Sequence, residues 1–138
     1  LLDRLDRFTQ DDSEHFIVRS DQDPDAAIRP YVARYLESIY DELTADFGGE
    51  PDRRTIIELF PEHREFAVRI TAKPWIHTVG ACTGPVIAMD APRRDAAGGR
   101  LFNWANVLRH EFVHTVTLHA TGNRIPHWFT EGLAVWAE

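Results

Sequence analysis

The residues best placed to do chemistry are His110, Glu111 and His114, which form a His-Glu-x-x-His motif. On an α-helix, residues four apart lie one above the other, so both imidazoles point the same way. Two imidazoles at that spacing can reach one Zn²⁺, and Glu111, one position round, can face a metal-bound water. The motif has few constraints. Taken by itself, its plain alternative is two half-exposed helical histidines beside a solvated glutamate. The surrounding sequence favours the chemical reading. Residues 101–108, LFNWANVL, contain no Gly or Pro, and Thr121-Gly122-Asn123 supplies a stop, which predicts a single helix from Leu101. Leu101, Ala105, Leu108, Phe112 and Val116 form its apolar stripe, and His110 and His114 fall on the other side with Asn103 and Thr117.

A third candidate ligand lies seventeen residues beyond His114. Pro126 to Glu138 reads as a second helix, with Pro126 near its first turn. Glu131 is expected on a face otherwise lined by Trp128, Ala134 and Val135. A carboxylate buried there must be paired or bind a metal, because an unpaired buried charge is strongly unfavourable. Gly132 in mid-helix costs about 1 kcal/mol against Ala, which a closely approaching neighbouring helix would explain. Two histidines from one helix and a glutamate from the next make a three-ligand site with an open fourth position. That is the form of a catalytic zinc site rather than a structural one.

Together, His110-Glu111-x-x-His114 and Trp128-x-x-Glu131-Gly132-Leu133-Ala134 resemble the zinc metallopeptidases of the gluzincin type, the peptidase MA-like families in particular. The likeness covers roughly residues 103–138, about a quarter of the chain. It implies one Zn²⁺ per chain on His110, His114 and Glu131, with Glu111 as general base for peptide-bond hydrolysis, as endopeptidase or aminopeptidase. In such a reaction Zn²⁺ lowers the pKa of its bound water from about 15.7 toward 7. Glu111 takes the proton and later passes it to the leaving amine. The oxyanion needs a second electrophile, usually a Tyr or His; His119 and His127 are weak candidates, and the alternative is a donor beyond Glu138 in a lower subdomain. The resemblance also implies a zincin-like α+β fold, in which a small mixed, twisted sheet with an edge strand lies over the HExxH helix and a glutamate-ligand helix follows. There are departures from related patterns. Thermolysin-like enzymes carry an acidic residue four positions after the ligand glutamate, where this chain has Val135. The metzincin pattern fails at Thr117 and Ala120, which replace its glycine and third histidine. Two other classes are a catalytically inactive zincin-like module that binds protein partners, and a purely structural helix pair without metal. Retention of all three ligands and Glu111 argues against both.

The rest of the chain must position these residues. Its 138 residues suffice for one domain with a real core, and 43% hydrophobic with 27% charged residues is ordinary for a globular chain. A net charge of −7 argues against nucleic acid as the main partner, though not against a peptide. No apolar run is long enough to span a bilayer, and no secretory signal pattern is present. The single Cys82 excludes an internal disulfide and leaves the compartment open. The chain starts on Leu1 and stops on Glu138 inside a helical pattern. The expectation is therefore one truncated catalytic domain with flanking domains, residues 1–122 forming an upper subdomain and 123–138 the start of a lower one.

In chain order, residues 1–14 read as a charged, helical or frayed lead-in, and 15–20 as the first strand. A helix is predicted over 26–47, with Tyr31 and Tyr35 as part of its core stripe. A strand at 55–60 and a short helix from Pro61 to Arg69 follow, with His63 on the surface. Trp75–Cys82 and Pro85–Asp90 read as two strands around Thr83-Gly84, and 91–99 as a loop with Arg93 and Arg94 in a solvated turn. His77 is expected as a strand-surface histidine, and Cys82 as a small, unreactive packing residue. The zincin resemblance makes the strand around Val86–Met89 an edge strand bordering the cleft, along which a peptide substrate could add.

Overall fold

The computed structural model describes residues 5–21, 25–73, 76–92 and 102–138. Five strands form one mixed sheet: β1 (Thr9–Asp12), β2 (Phe16–Ser20), β3 (Thr55–Phe60), β4 (Gly80–Cys82) and β5 (Val86–Asp90), in the order β1-β2-β3-β5-β4. The three inner strands run parallel, while β1 and β4 are antiparallel flanks. Parallel strands need long crossovers, and helices supply them. A 3-10 turn (Asp25–Ile28) leads into α1 (Arg29–Phe47) between β2 and β3, and α2 (His63–Thr71) lies between β3 and β5. Two more helices, α3 (Trp104–Ala120) and α4 (His127–Ala137), close the chain. Among the described residues no helix is long and apolar enough to cross a membrane.

Strand side chains alternate between two faces, and both faces are covered. Phe16, Val18, Ile57, Leu59, Ile87 and Met89 meet α1 and α3 in the main core. Phe60 and Ala88 meet Phe66 of α2 in a smaller core on the other side. The buried Glu58 on that side is held by Arg69 Nε of α2 at 2.9 Å. The α1 stripe is Val32, Leu36, Ile39, Tyr40 and Leu43. Gly48 ends α1 at φ +116°, a region that disfavours side chains, and a Cβ there would lie 2.7 Å from Ala120 Cβ at the end of α3. Glycine is required twice at that junction, by conformation and by space.

The α+β class and mixed sheet match the expectation, as do the segments 55–60 and 86–90, but several details differ. The lead-in forms strand β1, because Thr9–Asp12 pairs with β2 and Arg29 reaches back to Asp11 at 3.2 Å. Tyr31 is 62% exposed rather than core, while the half-buried Tyr35 packs edge-on against Trp104 at 5.7 Å. His63 is tied down: its two ring nitrogens lie 2.7 Å from Asp90 Oδ2 and from the Ile76 carbonyl. Strand β5, around Val86–Met89, is not the edge. It pairs with β3 on one side and β4 on the other, so the edge at that end of the sheet is β4. Trp75, Leu101 and the Arg93/Arg94 turn lie outside the described residues.

Candidate metal centre

Helix α3 begins at Asn103, whose side chain accepts the Asn106 N–H at 3.2 Å, a normal N-cap. Leu108, Phe112, Val113 and Val116 are buried in the main core. The opposite side of α3 carries Asn106, His110, His114 and Thr117, each three or four residues from the next, and α4 lies across it. Thr130, Glu131 and Ala134 of α4, and Glu138 just past its last turn, face α3. Ala134 is fully buried, and its small side chain lets the two helices approach.

The Glu131 carboxylate bridges the two histidines. Its Oε2 is 3.4 Å from His110 Nε2, and its Oε1 is 3.4 Å from His114 Nε2. Among the described residues, His110, His114 and Glu131 form a group whose ligand atoms all lie within 4.8 Å of one another, and this group is able to hold a metal ion. Their far ring nitrogens are also engaged. His110 Nδ1 donates to Glu138 Oε1 at 2.7 Å. His114 Nδ1 lies 2.8 Å from Thr130 Oγ1, which lies 2.8 Å from Thr117 Oγ1, and the Thr117 hydroxyl donates to the Val113 carbonyl at 2.8 Å. With the Thr117 proton committed to that carbonyl, Thr130 donates to Thr117 and His114 Nδ1 donates to Thr130. Both Nε2 atoms are then left with lone pairs facing Glu131. Burial pushes the His114 pKa down, against the pull of Glu131, and favours the neutral imidazole that ligates metals.

Glu111 is buried beside this group and lines the same cleft of about 360 Å³, together with Thr78, Cys82 and Ile125. Burial pushes its carboxyl up to about 7. Nearby His110 and the Cys82 backbone N–H pull it down, while the Glu131 carboxylate pushes it further up. Strand β4 comes close because residue 80 is glycine: a Cβ there would lie 2.5 Å from Val107 Cγ1 and 3.2 Å from Glu111 Oε1. Cys82 sits behind Glu111, and its Sγ is 3.3 Å from Thr115 Oγ1. Burial pushes its thiol up to about 11, which suits a packing role and not a nucleophile.

The sequence argument for Glu131 needs correcting. Its side chain is 40% exposed, and Trp128 and Val135 are 75% and 61% exposed, so no apolar burial surrounds it. Its partners are the histidines. Among the described residues nothing comes within 4 Å of a Cβ placed on Gly132, so no described helix approaches there. His77 is exposed, as expected. His119 points away from the cleft, toward Asp52 at 4.0 Å, which removes it as an oxyanion donor. His127 stays beside the group, with Nδ1 3.6 Å from Glu131 Oε1. Sequence reasoning missed Glu138, Thr130 and Gly80. For Glu138 a signal was present, since it stands seven positions after Glu131, nearly two full turns. No family model, no curated protein and no solved structure matches this chain.

Proposed function

We propose that the chain carries the catalytic site of a zinc-dependent peptidase with a zincin-like arrangement. One observation carries the reading: His110, His114 and Glu131 converge in the cleft where the buried Glu111 also sits. The donor set fits the ion. Two imidazoles and one carboxylate are the ligands of catalytic zinc sites. The two 3.4 Å nitrogen–oxygen separations equal the edge of a tetrahedron with bonds of roughly 2.0–2.1 Å. The paired motifs, with their gluzincin resemblance, support zinc over other divalent cations.

A bound Zn²⁺ would supply Lewis-acid activation of water and polarisation of the scissile carbonyl. The chain's own residues do the rest. Glu131 and the two histidines are the side chains that would hold the ion. Glu111 is no ligand. Its carboxylate, steadied by the Cys82 backbone N–H, takes a proton from water and returns it to the leaving amine. A peptide substrate would enter the cleft bordered by β4, and His127, which lines that cleft, is the remaining histidine candidate for the oxyanion.

A second reading, a catalytically inactive module that binds protein, is favoured by the exposed Trp128, Val135 and Trp136 on the outer face of α4. The Glu111→Gln variant of the intact protein separates the two. It is expected to keep its fold and its zinc while losing roughly 10²–10⁴-fold in peptide hydrolysis. Equal turnover by both proteins would refute the mechanism, and no turnover of any peptide by the zinc-loaded wild type would favour the binding module.

A further inference from the structure

We infer that Glu138 is the positioning carboxylate of the metal site, acting on the ion through His110. The inference rests on the metal-site reading above. A carboxylate can only accept, so the 2.7 Å contact between Glu138 Oε1 and His110 Nδ1 requires the proton on Nδ1. Nε2, the atom 3.4 Å from Glu131, is thereby kept as the free donor. The charge behind the ring also makes that nitrogen a stronger ligand, as such outer carboxylates do for metal-bound histidines.

Glu138 is itself held. Its second oxygen accepts from Asn106 Nδ2 at 3.0 Å, so residues 106 and 110, one turn apart on α3, grip both carboxylate oxygens. The backbone just before it is anchored as well, because Arg109 Nε donates to the Ala137 carbonyl while the same guanidinium pairs with Glu42 on α1. Helix geometry explains why the carboxylate stands at this position. Seven residues at about 100° each fall roughly 20° short of two turns, so Glu138 shares the face of Glu131. The residue four after Glu131 is Val135, rotated about 40° the other way onto the exposed face. An acidic group at position 135 would point to solvent here. The two ligand histidines are thus supported differently, His110 by a charge and His114 by the neutral Thr130 hydroxyl.

The test measures Zn²⁺ affinity of the intact protein by competition with a chromogenic chelator, for wild type, Glu138→Ala, Glu138→Gln and His110→Ala. The melting temperature of each metal-free protein is recorded alongside. Glu138→Ala is expected to bind zinc about 10–100-fold more weakly. Glu138→Gln should fall in between, because an amide oxygen still accepts from Nδ1 but carries no charge. Both should melt close to wild type without metal, since this side chain is exposed. In the zinc-loaded wild type the His110 Nδ1–H proton should be visible by NMR and slow to exchange, and it should be lost in Glu138→Ala. Zinc affinity of Glu138→Ala within twofold of wild type, with His110→Ala unable to bind, would overturn the inference and leave the metal site standing. Retention of zinc by His110→Ala would overturn both. Should Glu138→Ala fail to fold, wild-type affinity in Glu138→Gln would be decisive against the role of the charge.

Discussion

At the candidate metal centre, His110, His114 and Glu131 differ in exposure but share one property: each candidate donor atom lies within a few ångströms of the other two. An exposed glutamate contributes little to stability by pairing alone, so its place between two imidazoles is better explained by an ion than by ion pairing. The expected stoichiometry is about one Zn²⁺ per chain, lost in His110→Ala and in His114→Ala, as elemental analysis after zinc-replete purification would read out. Zinc-free wild type, or metal retained by both variants, would contradict this. The convergence of His110 and His114 with Glu131 was legible because helical spacing is a local property that short motifs record. The partners behind them were not. Thr130 and Asn106 contribute through hydrogen bonds between two helices, and nothing in their own stretches of sequence marks them.

Among the elements, α3 is covered on both sides, by the sheet core and by α4, and β4 closes over it at Gly80. Gly80→Ala forces the new methyl against Val107 and Glu111. Overpacking of this kind costs roughly 1–3 kcal/mol. The expected outcome is a lower melting temperature and impaired hydrolysis, with zinc stoichiometry unchanged because the atoms nearest the new methyl belong to Val107 and Glu111 and not to His110, His114 or Glu131. A variant that loses zinc in step with stability would argue against this division of labour. The same strand shows where the sequence reading of elements ran out. Periodicity located β3 and β5 almost to the residue, yet strand order depends on long-range pairing. The three residues of β4 are too few to announce that they, and not Val86–Met89, form the edge. Likewise β1 exists through its partner β2, since Thr9–Asp12 has little strand propensity of its own.

For the molecule as a whole, any ion that binds the folded chain and not the unfolded one raises its stability by mass action. Free Zn²⁺ at 100 times its dissociation constant should add about 2.7 kcal/mol. At roughly 3 °C per kcal/mol for a domain of this size, the melting temperature should rise by roughly 8 °C. Thermal scans with and without zinc check this, and the shift should vanish in His114→Ala. The metal donors and the cover of Glu111 have different origins in the chain. His110, His114 and Glu131 belong to two consecutive helices, so only a short loop has to close to bring them together, and closure of a short loop carries little entropic cost. Gly80 and Cys82 reach Glu111 only once β5, and through it β3, are paired, and such distant pairing is slow. The expected order of assembly is therefore the donors first, across the short α3–α4 loop, and the cover of Glu111 second.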